Sequence, residues 1–275
     1  MTDFQIEVVE LLKQGLRPGE VSKKLNRNGS SVSSVIKALN ITGYNKQENT
    51  CNHNYFDNID TEIKAYLLGF FIADGWLNVG NSRFGLQIKE EDNIVLHYIK
   101  NEFVNDSVIS TKNRTTETVT RKNISTIRWT SSHMKDIFMN KYKILENKTY
   151  DKTFIFPFEE IPEHLIRHFI RGFFDGDGCF SKIRQSLSIT IISTSLNFLN
   201  QIAKYFTNLS EGINEVIREI NGKTTNYYTL NFNFERTDKS EKVLKIYNYL
   251  YDDSELYLIR KKDKIESYLK YRGKL

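Results

Sequence analysis

The chain has 275 residues, 39% hydrophobic and 13% aromatic, enough to bury a core without disulfide staples and too apolar for a disordered segment. No apolar run reaches the roughly 18 residues of a membrane span, the first residues lack the charged and apolar regions of a secretory signal, and two cysteines, Cys51 and Cys179, exclude a disulfide framework or a mainly cysteine zinc site. A formal charge of +5 suits nucleic acid without deciding for it. Together these features predict an intracellular protein with no membrane partner.

The first predicted helix carries Phe4, Val8, Leu11 and Leu12 at helical spacing and ends at Gly15. Pro18 suits the first turn of a second, which carries Val21 and Leu25. Asn28-Gly29 reads as a turn and Ser30 as the N-cap of a third. That helix shows Val32, Val35, Ile36 and Leu39 on one face and Ser31, Ser34 and Lys37 on the other. Three short helices with a turn before the last resemble a helix-turn-helix. Residues 1–43 are therefore expected to be a small all-α DNA-binding module using Ser31, Ser34 and Lys37, with a protein-contact bundle as the alternative. Residues 44–55 are polar and read as a linker.

The rest of the chain repeats itself at a constant offset of 103 positions. Gly69 falls on Gly172, Phe70-Phe71 on Phe173-Phe174, and Asp74-Gly75 on Asp177-Gly178. Each repeat predicts the order helix, strand, strand, helix, strand, strand, helix. In the first these lie near 61–73, 76–79, 83–89, 93–104, 108–113, 123–131 and 132–140. In the second they lie near 163–176, 178–183, 186–192, 195–207, 214–220, 226–234 and 239–250, before a basic helix at 257–271. Period-two alternation opposes Phe84, Leu86 and Ile88 to Arg83, Gln87 and Lys89, and Leu187, Ile189 and Ile191 to Ser186, Ser188 and Thr190. Tyr228, Leu230, Phe232 and Phe234 likewise oppose Thr229, Asn231 and Asn233. Each sheet thus has an apolar face for helices and a polar face, to which Arg128 and Arg184 add charge, fit for a groove of double-stranded DNA.

Leu67-Leu68-Gly69-Phe70-Phe71-Ile72-Ala73-Asp74-Gly75 and Ile170-Arg171-Gly172-Phe173-Phe174-Asp175-Gly176-Asp177-Gly178 resemble the two signature helices of the LAGLIDADG homing endonucleases. The resemblance covers about residues 56–271 and departs from the family pattern at Ile72, which replaces the first acid, and Arg171, which replaces a small residue. It implies an α+β fold of two pseudo-symmetric αββαββα halves, 56–158 and 159–275, forming a DNA-binding saddle beside the small all-α segment. It also implies that Asp74 and Asp177, the acids before each last glycine, hold Mg²⁺ and are catalytic, with one basic residue per half: Lys148 in the first and Lys261, or its neighbours Arg260 and Lys262, in the second.

The physics agrees. Gly69 and Gly172 let two helices approach backbone to backbone, and carboxylates brought together need a cation between them. An all-oxygen site suits magnesium, completed by phosphate and water. Gln87, Glu90 and Thr194 are further candidates for holding water there. His164 and His168, at i and i+4, read as a polar helix face, Cys51 and His53 as no metal site, and Cys179 as a small buried residue.

Three functions follow from the resemblance. The first is a monomeric site-specific endonuclease making a double-strand break in a long, asymmetric DNA target. The second is a maturase whose partner is host intron RNA. The third is a non-cleaving DNA-binding regulator, disfavoured because both acids are kept and the helical module comes first. The AT-rich residue usage fits a bacterial, phage-infected or organellar setting.

Overall fold

The computed structural model describes residues 1–14, 16, 18–41, 51–105, 107–114, 121–148, 151–183, 186–220, 223–234 and 240–275. They fall into two compact units, Met1–Thr50 and Cys51–Leu275.

The first unit holds α1 (Asp3–Lys13), α2 (Pro18–Lys24) and α3 (Gly29–Ala38). Thr2 and Gln5 close a capping box on α1. Val8, Leu11, Leu12, Val21, Val32 and Val35 form its small core. Ser34 and Lys37 are exposed and Ser31 is half-buried. The expected Ser30 cap is corrected: Asn28 is the N-cap of α3 and makes no side-chain bond. The chain turns earlier, at Asn26 with its left-handed φ of 49°, so it is already helical at Gly29. Gly15 and most of the predicted linker lie outside the described residues. Residues 51–55, read as linker, belong to the second unit. Cys51 and Tyr55 are buried there, and the Tyr55 ring stacks on Phe103 at 4.6 Å.

The second unit runs α4 (Glu62–Asp74), β1 (Gly75–Asn78), β2 (Arg83–Lys89), α5 (Ile94–Phe103), β3 (Ser110–Lys112), β4 (Ile124–Thr130) and α6 (Ser132–Asn140). The order returns as α7 (Glu163–Asp177), β5 (Gly178–Ile183), β6 (Ser186–Ser193), α8 (Leu196–Ala203), β7 (Gly212–Ile220), β8 (Lys223–Phe234) and α9 (Ser240–Tyr251), followed by α10 (Ile259–Tyr271). Each half makes a four-stranded antiparallel sheet, β1-β2-β4-β3 and β5-β6-β8-β7. The α+β expectation of two αββαββα halves holds. Three strands differ in extent: β3 keeps only three residues, while β7 and β8 begin two and three residues early.

Sheet register explains the alternation. Phe84 pairs with Trp129 and Leu86 with Ile127 on the inner face of the first sheet, and the Phe84 and Trp129 rings stack at 5.5 Å. In the second sheet Ile189 pairs with Phe232 and Ile191 with Leu230. Burying this apolar surface at roughly 25 cal/mol per Å² is the main source of stability.

The halves join through α4 and α7. α4 is buried from Ala65 to Ile72 without a break, as expected of a helix surrounded by protein. A Cβ on Gly69 would stand 2.0 Å from the Phe169 carbonyl oxygen, and one on Gly172 would stand 2.0 Å from that of Tyr66. These contacts exchange under the 103-residue offset, so the two glycines mark one pseudo-two-fold axis.

Candidate active site

Both motif helices end at an aspartate and pass directly into a strand. Gly75 and Gly178 cap them in extended conformation. Their lack of a side chain serves space rather than φ: a Cβ on either would fall within 2.3–2.5 Å of the Phe71 or Phe174 ring. The helix ends also touch, since a Cβ on Gly176 would meet that of Ala73 at 2.2 Å and the Asp74 carboxylate at 3.4 Å. Asp74 and Asp177 are thereby brought to one place.

Asp74 is exposed and Asp177 is half-buried, and the surrounding protein partly desolvates both carboxyl groups. That burial raises Asp74 above the ordinary range, against the pull of Lys261 and Lys148. It pushes Asp177 up to about 6, with repulsion from Asp74 adding to it. The negative ends of two helix dipoles point the same way, so anions gathered here are unfavourable without cations.

The chain supplies two. Lys148 Nζ donates to the carbonyls of Ile72 and Ala73 at 2.6 and 3.1 Å. Lys261 Nζ donates to Phe174, Gly176 and Gly178 at 2.8, 3.2 and 2.6 Å. Each lysine takes up the free carbonyls that end its own half's motif helix. Burial lowers both to about 8, against the attraction of Asp177 and Asp74 for Lys148 and chiefly of Asp175 for Lys261. The alternatives to Lys261 are engaged elsewhere: Arg260 grips Asp92 through three bonds of 2.8–3.0 Å, and Lys262 lies 4.1 Å over the Tyr257 ring.

The donor set for a cation is all oxygen, two desolvated carboxylates at one spot, which fits a hard divalent ion. Among the described residues no group of three or more His, Cys, Asp or Glu side chains is placed to hold a metal. A cation at this site therefore relies on phosphate and water for its remaining ligands. A cavity of about 330 Å³ opens beside Lys148 and Asp177, walled by Ile72, Phe154, Phe173, Ile192 and Phe198, with Thr194 on its lining.

The sheet faces turned away from the core carry most of the other candidates. Cross-strand partners share a face, so Trp76, Gly85 and Arg128 lie in one row, Asn78, Arg83 and Thr130 in the next, and Lys89 beside Ile124 and Lys112 in another. Arg83, Gln87, Lys89 and Arg128 are exposed. Gln87 donates to Thr126 at 3.2 Å, whereas Glu90 accepts from Asn123 in a neighbouring turn. In the second sheet Thr190 pairs with Asn231 and Ser188 with Asn233, and Thr229 sits beside Ile192. Ser188, Thr190, Thr229 and Asn231 are half-buried. Ser186 and Asn233 are placed on this face by register alone, and Arg184 lies outside the described residues.

Residues 164–271 match the family model described as LAGLIDADG-like domain. That match lies within the second half of the chain. Comparison with the curated proteins finds no match. Among solved structures, the homing endonuclease I-WcaI bound to its DNA recognition sequence is similar at 14% identity over 85% of this chain and 96% of its own, with a TM-score of 0.44. I-DmoI in complex with DNA and Mn is 18% identical over 71% of this chain and 98% of its own, at 0.40. The N-terminal LAGLIDADG domain of DUF199/WhiA is 16% identical over 74% and 86%, at 0.41.

Two readings change beside the motif helices. Cys179 is exposed rather than buried, because its partner in the register is Thr190 on the open face. His168 is no surface partner of His164: it is buried against Arg171 at 2.7 Å, and burial holds its imidazole down at about 4. Cys51 is buried 3.5 Å from His53 Nδ1, and burial raises its thiol, consistent with a structural pair.

The sequence also left residues unassigned. Trp76 lies over Gly85 on the open face, with three indole atoms where a Cβ would be, 2.4–2.9 Å away. The signal was a tryptophan opposite a glycine, visible only once register is known. Arg171 and Asp175 are both fully buried. A charge in an apolar helix signals a hidden partner, and the fold supplies it in Glu62, 2.6 Å from Arg171.

Proposed function

We propose that this chain is a metal-dependent, site-specific DNA endonuclease that makes a double-strand break in a long, asymmetric target. One observation carries the reading: two equivalent helix ends, each with an aspartate and a carbonyl-bound lysine, meet at one spot and lead straight into two polar sheet faces. A matched pair of acids is what cutting two strands at once needs. Asp74 and Asp177 hold a divalent cation of the magnesium class, which supplies charge neutralisation at the phosphate and activation of water. Lys148 and Lys261 keep positive charge at the helix ends, where it offsets the dipoles and attracts the scissile phosphates. Arg83, Lys89 and Arg128 grip backbone phosphate, while Gln87, Ser186, Ser188, Thr190, Thr229, Asn231 and Asn233, with Arg184, read base edges. Ser31, Ser34 and Lys37 extend the contact from the N-terminal helices. The protein acts as a monomer within the cell, its two halves replacing the two copies of a symmetric dimer.

Incubation of the purified chain with DNA carrying an uninterrupted host locus and Mg²⁺ tests the proposal. Cleavage that stops on chelation supports it. Retarded but intact DNA points to a regulator, and binding confined to intron RNA points to a maturase.

A further inference from the structure

The two helix ends are built differently, and among the described residues the difference is a buried polar network on one side. His168, Arg171 and Asp175 lie at i, i+3 and i+7 on one face of α7. Their positions on α4, by the 103-residue offset, are Ala65, Leu68 and Ile72, and that of Glu62 on α7 is Leu165. One side of the pseudo-axis is therefore charged and the other apolar.

All of the charge is directed at the connector between α9 and α10. Arg171 donates to the Leu250 and Leu256 carbonyls at 3.1 and 3.0 Å and to Glu62 at 2.6 Å. The same Glu62 oxygen accepts from the Glu255 amide at 2.7 Å. Asp175 accepts from the Leu258 amide, the Tyr66 hydroxyl and the Tyr251 hydroxyl at 2.8, 2.9 and 2.8 Å. Four backbone groups, one at Leu250 in the last turn of α9 and three at 255, 256 and 258 in the connector to α10, are thus fixed by three charged side chains. Leu258 is the N-cap of α10, and Lys261 stands in the first turn of that helix. Among the described residues Lys148 has no comparable brace in the first half: it makes two carbonyl bonds and borders the open cavity.

We infer that Asp175, with Arg171 and Glu62, clamps the start of α10 and thereby positions Lys261, so that Asp175 is a positioning residue for one half-site and not the other. The inference rests on the nuclease reading for its catalytic consequence and on the hydrogen bonds alone for its structural one. Burying these groups is costly unless every one is paired, and here each is. A lysine ammonium shifted by an ångström against a reacting phosphate costs far more rate than stability.

The test uses the full chain with Asp175→Leu, Asp175→Asn and the milder Tyr251→Phe. Amide hydrogen exchange over residues 250–262 is measured without DNA, and cleavage of each strand is followed separately on end-labelled duplex. For Asp175→Leu, exchange in that segment is expected to rise about tenfold while residues 62–74 stay protected. One strand is expected to be cut about tenfold more slowly than the other, leaving nicked duplex. Asp175→Asn, which retains an acceptor for the Leu258 amide, should recover part of both effects, and Tyr251→Phe should show smaller shifts in the same sense. Unchanged exchange at 250–262, or equal slowing of the two strands, overturns the inference. If Asp175→Leu does not fold, the two milder variants decide by the same readouts. Failure of the wild type to cut any DNA counts against the nuclease reading, while the exchange result still decides the clamp.

Discussion

Asp177 and its lysine neighbours tie the site to pH. Burial and the nearby Asp74 raise Asp177 to about 6 from an ordinary 3.8. Between those values the folded protein binds a proton that the unfolded chain does not, so metal-free stability falls as pH rises through this window. Lys148 and Lys261, lowered to about 8 from 10.5, have the opposite effect, and stability recovers from pH 8 upward. Melting curves against pH should show both limbs. Asp177→Asn should flatten the acid limb, and added Mg²⁺ should raise the melting temperature at pH 7 more than at pH 5. An acid limb unchanged in the variant would contradict this assignment. Asp74→Asn or Asp177→Asn should each abolish double-strand cleavage while leaving DNA binding within about tenfold, since a lost carboxylate removes a metal ligand and a repulsion toward phosphate together. Wild-type cutting by either variant would remove these residues from the mechanism.

Helices and strands make their own predictions. Alanine at Gly69 or Gly172 would meet a backbone carbonyl, which cannot rotate away. The expected loss is about 3 kcal/mol or more, a fall in Tm of roughly 6–12 °C for a unit of this size, and a scanning calorimeter would read it. The first sheet's open face carries Arg83, Lys89, Lys112 and Arg128, whereas hydroxyls and amides at Ser188, Thr190, Thr229 and Asn231 dominate the matching rows of the second. Arg83→Ala and Arg128→Ala should each reduce the salt dependence of binding by about one phosphate contact, and Thr190→Ala should leave it unaltered. Of the two tryptophans, Trp129 is buried and Trp76 is on the open face. DNA should quench the fluorescence of Trp76, and quenching that persists in Trp76→Phe would place DNA elsewhere.

Much at this scale was legible beforehand. The strands β2 and β6 follow from unbroken alternation, and the motif helices from Gly-Phe-Phe and Asp-Gly spacing, because local pattern dictates both. Lys261 and Arg260 are adjacent in sequence, and only the phase of α10 shows which one turns inward. The Glu62–Arg171 pair joins positions 109 residues apart and has no local signature.

For the molecule as a whole, the proposed role of the N-terminal helices is to extend the reach on DNA. Their core is self-contained and Ser34 and Lys37 are exposed. Deleting residues 1–43 should weaken specific binding by about 1–3 kcal/mol without moving the cut, since the proposed cutting site lies at Asp74 and Asp177. Footprints of equal length from the full and truncated proteins would assign these helices to protein contacts instead. The one-sided pairing of Arg171 with Glu62 also restricts which halves can pair. Were two copies of residues 159–275 to pair with each other, each Arg171 would face a second Leu165 where Glu62 now stands. Two guanidinium groups would be buried without their direct ion-pair partner, leaving Asp175 as the nearby opposite charge, at a cost on the order of 3–5 kcal/mol apiece at most. The second half therefore does not suit itself as a mate, and an exchange of either half would have to carry residue 62 and residue 171 together.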